Sequence, residues 1–364
     1  MNPTFSRTNA PAVSDILSRA DCEALAKRVL AFAKADETRV TIGSDMRSDT
    51  RFAVNQISTS GEDVNTSITI QSAFGKRSAS VTTNKLDDAS ISAAVREAET
   101  LAHLSPESPE SMPELGPQTY QAAAPRRLAS MPSATDRASA IGALTAHARK
   151  AGCISTGYIE TQLGATAIAN SRGLFAYDQS SGTTMTMTVR TPDGTGSGWA
   201  GVDVETWPEI DAAQLGAHAT EKALKSRHPV AVEPGRYTVV LEPAAVGSLV
   251  SLVTDELSAR EADEGRSYFA RPGGGNKLGE RLFGDSVTLI SDPADQSGSL
   301  FSDDGLPSRR VVWVERGILK TLDYGRFWAQ KSGVQPTAAP GALRMLGGTM
   351  SLPSMIASTQ QGLL

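Results

Sequence analysis

YTVVLEPAAVGSLVSLVTDELSAR, from Tyr237 to Arg260, is the stretch that decides the fold. Residues 237–241 are β-branched, aromatic or aliphatic, which predicts a short buried strand that ends before Pro243. A half-buried helix should follow at once, because apolar side chains recur there at the spacing of one helical stripe: Val246, Leu249, Val250, Val253 and Leu257. A zinc-protease helix needs two imidazoles about one turn apart, and this helix carries no histidine.

The residues before this stretch repeat one pattern. A helix, a run of strands and a second helix are predicted within 15–104, and the same series recurs within 134–226. The segment 105–132 is rich in Pro, Ser and Glu and is predicted to be a long surface connection. Strands are predicted at residues 39–44, 50–58, 64–72, 76–83, 154–163, 166–170, 174–178 and 183–191, with a loop at 192–200.

Residues after His228 follow a different pattern of one strand, a helix over 244–260, glycine-rich loops and hairpins. Their later strands are predicted at 286–290, 310–315 and 318–323. The sequence therefore predicts an α+β protein in three parts. A disordered tail, 1–14, precedes an N-terminal domain, 15–228, in which two similar halves build an antiparallel sheet with helices. A mainly β domain with one central helix follows at 229–364.

Composition excludes several classes of function. The net charge is −5 and no block of Lys and Arg is present, which argues against a nucleic-acid partner. No apolar run reaches membrane-spanning length and the N-terminus lacks an apolar signal core, so we expect a cytoplasmic protein. Cys22 and Cys153 stand in no motif and are predicted to be reduced thiols.

Few residues of the sequence indicate a catalytic or binding site. Four histidines are present, at positions 103, 147, 218 and 228. His147 and His218 lie in stretches predicted to be helical with no second ligand one turn away, and no metal site is predicted in this chain. The glycine-rich segment 271–276 lacks the spacing of a phosphate loop and is predicted to be a flexible flap or a sharp loop. The aspartates at 292, 295, 303 and 304 lack the spacing of a calcium loop, which favours loop solvation over cation binding.

Several segments form an ordered set along the chain: RFAVNQI at 51–57, the helix at 85–106, FSDDGLP at 301–307, RRVVWVERGILK at 309–320 and MIASTQQGLL at 355–364. In this order they resemble motifs of the TldD/PmbA family of metalloproteases and their inactivated relatives. The resemblance is greater to the PmbA branch, also called TldE. In the proteolytic branch the 237–260 unit carries HExxxH, and a gap-free overlay places that motif on Ser251, Leu252 and Glu256. These side chains cannot hold a zinc-bound water, so zinc is expected only in a catalytic partner.

The resemblance implies a non-catalytic, PmbA/TldE-like subunit of a cytosolic metallopeptidase complex that processes or degrades peptides. Its expected partners are a TldD-like zinc-bearing subunit, or a second copy in a homodimer, and an extended peptide. Residues expected to border the peptide groove are Asp193, Gly194, Gly273, Gly274, Asp303 and Asp304. The family continues past the position of Leu364, so we expect a truncated chain with an open sheet edge. The alternatives are an autonomous peptidase with an unrecognised site and a stand-alone peptide-binding scaffold.

Overall fold

The N-terminal part forms one antiparallel sheet with helices against one of its faces. The protein is described by a computed structural model that covers residues 16–120, 130–295, 298–339, 341–360 and 362. The strands are β1 (Glu37–Ala53), β2 (Gln56–Phe74), β3 (Arg77–Thr83), β4 (Ile154–Asn170), β5 (Phe175–Arg190) and β6 (Ser197–Val204). The helices are α1 (Arg19–Phe32), α2 (Asp88–Leu104), α3 (Ala134–Lys150) and α4 (Ala212–Lys225). The predicted tail at 1–14 and part of the predicted connection, 121–129, lie outside the described residues.

The strand order confirms the predicted repeat. The sheet runs β3-β2-β1-β4-β5-β6, and every neighbouring pair is antiparallel. Each half contributes one helix, three strands and a second helix. The halves join at the centre, where β1 pairs with β4 from Arg39 opposite Asn170 to Phe52 opposite Gly157.

The strands are longer than predicted, because four predicted breaks, after residues 44, 58, 163 and 178, do not exist. The segments expected at 39–44 and 50–58 belong mainly to the unbroken β1, and the pairs predicted within 154–170 and 174–191 are likewise the single strands β4 and β5. Polar residues caused the error. Alternate side chains of these strands face away from the helices, so Ser, Thr and charged residues are tolerated throughout without ending the strand.

The turn between β1 and β2 falls inside the predicted strand 50–58. Val54 and Asn55 both adopt positive φ, at 50° and 62°, without any glycine to signal the turn. The Asn55 side chain stabilises it by donating to the Cys153 carbonyl at 2.9 Å and accepting from the Ser155 amide at 2.8 Å. Asparagine thus supplies both the left-handed conformation and the contact to β4.

The predicted loop at 192–200 is wrong in its second half, since β6 begins at Ser197. This strand was not predicted, because its small residues do not form the alternation of large apolar side chains from which strands are predicted. A Cβ atom on Gly198 would lie 2.2 Å from the Ala219 carbonyl oxygen, so glycine is what allows β6 to pack directly on α4.

The two faces of the sheet differ in chemistry. Apolar side chains on the helix-facing side form two cores, one under α1 and α2 and one under α3 and α4. Residues such as Val40 and Ile42 belong to the first core, and Met185 and Met187 to the second. The opposite face carries polar residues and is partly covered by the C-terminal part and by the connection that follows α2.

The C-terminal part is built around a second antiparallel sheet of order β10-β7-β8-β9. Its strands are β7 (Leu289–Ser291), β8 (Val311–Glu315), β9 (Ile318–Leu319) and β10 (Arg344–Met345). Its helices are α5 (Pro243–Asp255), α6 (Ala259–Asp263), α7 (Arg326–Ser332) and α8 (Leu352–Ser358). The predicted hairpin around Arg316 and Gly317 is confirmed, although β9 is shorter than expected.

The strand predicted at 237–241 is wrong. This segment forms only an isolated β-bridge at Val239 and no regular strand, and the side chains of Tyr237, Val239 and Leu241 are exposed. The helix after it is confirmed but ends at Asp255 and not at 260, and none of its residues is fully buried. Apolar composition predicted burial, yet among the described residues no neighbouring strand covers this part of the chain.

Candidate functional site

The C-terminal end of α5 is where the resemblance placed the degenerate zinc motif. Ser251 donates its hydroxyl proton to the Ser248 carbonyl at 2.8 Å, and Leu252 points an exposed alkyl chain outward. Glu256 follows the last residue of the helix, and its carboxylate accepts a 2.5 Å hydrogen bond from the Tyr268 amide. The Ser251 and Glu256 side chains are therefore engaged in local hydrogen bonds, and the Leu252 side chain has no atom that could bind a metal.

Zinc does not fit these three residues. Leu252 has no donor atom, the Ser251 hydroxyl is a weak ligand that is already hydrogen-bonded, and only the Glu256 carboxylate could bind zinc. Over the described ranges, no group of three or more His, Cys, Asp or Glu side chains could hold a metal ion. We therefore derive no chemical step through a metal at this helix.

Two adjoining cavities lie between the polar face of the large sheet and the C-terminal part. The first, the sheet cavity, has a volume of about 550 Å³, and its polar wall includes Thr41, Thr69, Gln71, Thr166 and Ser180. The second, the carboxylate cavity, has a volume of about 500 Å³ and lies beside the end of α5. Both are lined by Arg39, Ser302 and Asp303, so the two cavities are adjacent, and together they are called the cleft below.

Four aspartates from separate segments line the carboxylate cavity. Asp255 is the last residue of α5, Asp303 and Asp304 lie in a tight turn, and Asp323 follows β9. The backbone of Asp323 is held against the residues after α5, since its amide donates to the Leu257 carbonyl at 2.7 Å and its carbonyl accepts from the Ala259 amide at 2.9 Å. The fold thus brings together charges that are far apart in the sequence.

The environment of this cavity shifts the pKa of two groups. Protein atoms crowd the Asp323 carboxylate, and this loss of hydration raises its pKa although the residue still reaches solvent at the cavity mouth. Burial, followed by the negative charge of Asp304, raises the pKa of Tyr120 to about 12. The Tyr120 hydroxyl therefore stays protonated and donates to the Gly305 carbonyl at 2.8 Å, which holds the turn that contains Asp303 and Asp304.

The structure brings together only some of the predicted groove residues. Asp303 lines both cavities and Asp304 lines the carboxylate cavity. Asp193 and Gly194 lie in the turn between β5 and β6, roughly 40 Å along β5 from the cleft at the rise of an extended strand. Gly273 and Gly274 adopt positive φ in a loop that lines neither cavity.

Sequence reasoning missed other residues of the cleft. The carboxylate cavity is also lined by Arg39, Asp255, Asp323 and Arg326. Of these four residues, only Asp255 lies in the stretch 237–260, which was compared with a zinc-protease helix. The one available signal was the placement of each aspartate at the end of a helix or strand, where side chains commonly face a cleft. No helix among the described residues is long and apolar enough to cross a membrane.

Comparison with known proteins gives matches along most of the chain. Residues 126–227 match the model of the PmbA/TldA metallopeptidase central domain, and residues 234–364 match the model of the C-terminal domain of the same metallopeptidases. A metalloprotease of Methanothermobacter thermautotrophicus is 32% identical over 132 residues, which are 35% of this chain and 28% of that protein. The match thus spans less than a third of the archaeal relative.

Solved structures share the fold. A proposed modulator of a DNA gyrase from Thermotoga maritima superposes with a TM-score of 0.81 at 19% identity, covering 92% of this chain and 80% of the other. TldE from Thermococcus kodakarensis superposes with a TM-score of 0.77 at 16% identity, covering 94% of this chain and 81% of the other. At these identities the two structures establish a common architecture and nothing about the chemistry of the cleft.

Proposed function

Because the chain belongs to the PmbA/TldD metallopeptidase family, we propose that it is a non-catalytic, TldE-like subunit of a peptide-processing metallopeptidase complex. In this role it walls part of the substrate chamber and leaves metal chemistry to a zinc-bearing family member. The observation that carries the proposal is the donor set at the end of α5. On the gap-free overlay, Ser251, Leu252 and Glu256 take the positions of the HExxxH residues of the proteolytic branch, and their side chains cannot provide a zinc-bound water.

Exposed apolar side chains support the need for a partner. Leu249 and Leu252 on α5 are 55% and 62% exposed, which is unusual for large aliphatic residues on one short helix. Large apolar side chains are also exposed between 345 and 356: Met345, Leu346, Met350, Met355 and Ile356. The chain also returns to the start of this region, because a Cβ atom on Gly362 would lie 2.6 Å from the Thr238 carbonyl oxygen. Apolar patches of this kind mark protein interfaces.

Co-expression with a zinc-bearing family member that carries HExxxH tests the proposal. We expect the two chains to purify together, and we expect trimming of unstructured peptides to require both chains and to stop when a chelator is added. The isolated chain should contain far less than one zinc per molecule. A pair that does not associate, combined with unchanged trimming when this chain is omitted, would reject the proposal.

The same preparation separates the other two hypotheses. Stoichiometric zinc in the isolated chain, with peptide cleavage that a chelator blocks, would identify an autonomous peptidase. Peptide binding by a chain that neither cleaves nor associates with a zinc-bearing relative would identify a stand-alone scaffold.

A further inference from the structure

The carboxylate cavity has more negative than positive charge. Among the described residues, its lining includes the carboxylates of Asp255, Asp303, Asp304 and Asp323 and only two cationic side chains, Arg39 and Arg326. Three of these aspartates, at 255, 303 and 323, form no ion pair with any described residue. A cavity with uncompensated carboxylates attracts cations from solution.

Both arginines are already paired. The Arg326 guanidinium lies 3.5 Å from the Asp304 carboxylate and donates to the Pro113 carbonyl at 2.6 Å. Arg39 lies 3.6 Å from Glu114, which does not line the cavity, and it donates to Gln71 on the neighbouring strand. Neither guanidinium is therefore available to neutralise the other three aspartates.

The size and the walls of the cavity favour an organic cation over a metal ion. Within the described ranges no three carboxylates could share one metal ion, so a ligand must be larger to reach several of them. Leu257, Trp313 and Leu343 supply apolar wall, which suits the methylene stem of a long side chain. A volume of about 500 Å³ is ample for one such side chain.

A buried hydroxyl adds a polar contact that is independent of the carboxylates. Ser291 is buried and lines the cavity, and its oxygen accepts a 2.9 Å hydrogen bond from the Trp313 indole N–H. A hydroxyl oxygen has two lone pairs, so one remains for an N–H donor of a ligand. Its proton has no acceptor among the described residues. The hydroxyl is thus a second polar contact for a ligand that enters between the aspartates.

We propose that the carboxylate cavity binds the cationic side chain of a Lys or Arg residue in an extended peptide. The peptide main chain then lies in the adjoining sheet cavity, where hydroxyl and amide side chains such as Thr41, Gln71 and Thr166 can pair with its backbone groups. Asp303 faces both cavities and marks the place where the side chain leaves the main chain. This inference rests on the proposed function only in taking a peptide as the ligand.

Fluorescence anisotropy with the isolated full chain tests the inference. The probes are labelled, terminally blocked five-residue peptides whose central residue is Arg, Lys, citrulline or Glu. Citrulline matches arginine in shape but carries no charge, so the difference between these two peptides reports the charge alone. We expect the Arg and Lys peptides to bind about tenfold or more tightly than the citrulline peptide, as for a charge-assisted hydrogen bond, and the Glu peptide to bind weakest.

Variants locate the binding. Asp303→Asn and Asp323→Asn should each weaken binding of the Arg peptide several-fold, whereas Asp63→Asn, which removes an exposed aspartate outside both cavities, should not. Binding should also change the tryptophan emission of the protein, and Trp313→Phe should remove that change. Thermal unfolding of each variant confirms that it is folded before its binding is interpreted.

Three results would overturn the inference. They are equal affinity for the Arg and citrulline peptides, equal weakening by Asp63→Asn and Asp323→Asn, and no binding of any peptide. Complex formation with a zinc-bearing relative is measured separately. A complex without charge preference refutes only this inference, and charge preference without a complex refutes only the proposed subunit role.

Discussion

Arg260 and Glu110 are 150 residues apart in the sequence, yet the Arg260 guanidinium donates to both carboxylate oxygens of Glu110, at 2.8 and 2.9 Å. The contact joins α6 to the connection that follows α2, and a second contact, from Arg326 to the Pro113 carbonyl, lies close by in the sequence. Together they hold the connection against the C-terminal part, next to the carboxylate cavity.

Replacement of Glu110 by Gln should loosen this connection. Both partners are partly exposed, so we expect a loss of only about 0.5–1 kcal/mol in the free energy of unfolding. Limited proteolysis should cut within 105–120 faster than in the wild type. Glu107→Gln is the matched control, because Glu107 is exposed and lies 3.6 Å from Arg77 within the N-terminal part. Equal cleavage rates in the two variants would contradict the assigned role of the Arg260–Glu110 contact.

Arg137 should be one of the most sensitive positions in the N-terminal part. Its side chain is only 2% exposed and donates to the Thr50 hydroxyl at 3.0 Å and the Pro132 carbonyl at 2.8 Å. Arg137→Met leaves these acceptors unpaired in the core, so we expect a loss of about 2–4 kcal/mol in urea unfolding. Its ion-pair partner Glu62 is 60% exposed, and Glu62→Gln should cost at most about 0.5 kcal/mol. Equal costs would show that the ion pair, and not the buried hydrogen bonds, stabilises this site.

Cys22 should make stability depend on pH in the alkaline range. Burial, with a smaller contribution from Asp21, raises the pKa of this thiol from 9.0 to about 11. A raised pKa means that the folded state favours the neutral thiol, so its contribution is complete below pH 9 and is lost as pH rises toward 11. Relative to Cys22→Ala, the wild type should lose roughly 1–2 kcal/mol between pH 8 and 10.5 in urea unfolding. If the free energy of unfolding varied with pH in the same way for the two proteins, the thiol would not titrate as described.

Asp323→Asn should stabilise the protein while it weakens ligand binding. The raised pKa of the carboxyl group means that the folded state disfavours its charge at neutral pH. The Asp323 carboxyl group therefore makes its full contribution to the free energy of unfolding only below the ordinary aspartate pKa of 3.8. This contribution is lost as the pH rises through the raised pKa of the folded state. We expect the melting temperature of the variant to exceed that of the wild type at pH 7 and the difference to shrink toward pH 4. A lower melting temperature at pH 7 would contradict this account.

Leu249→Asp and Leu252→Asp should disrupt association with a zinc-bearing relative. Both side chains are exposed on α5, so the substitutions should barely change the stability of the isolated chain. Leu104→Asp serves as the control, because Leu104 is 77% exposed at the end of α2. Co-purification should fail for the two α5 variants and persist for the control. Unchanged co-purification by the α5 variants would move the interface away from this helix.

Local signals were strong enough to predict several elements. The helix α2 begins after Asp87, whose side chain accepts from the Ser90 amide at 2.9 Å. The hairpin of β8 and β9 followed from alternating apolar residues around an Arg-Gly turn. In both cases residues close in sequence determine the structure, so the pattern alone is informative.

Properties that depend on distant residues were not predictable. The segment 237–241 has the composition of a buried strand, but burial requires a neighbour, and sequence composition does not provide one. The carboxylate cavity gathers Asp255, Asp303 and Asp323 only after α5, the turn at 302–305 and the residues after β9 pack together. Single aspartates in loops look alike in a sequence, whether they face water or a cleft.

The central pairing of β1 with β4 has an evolutionary consequence. From the centre of the large sheet outward, each half places its first, second and third strand in the same order. The antiparallel central pair therefore relates the two halves by an approximate twofold axis. A gene for one half would have produced a protein in which β1 is an edge strand with unpaired backbone N–H and C=O groups. The β1 strand of a second molecule could pair with it in the same antiparallel manner. Tandem duplication and fusion of such an ancestor would yield this architecture, after which each copy was free to diverge.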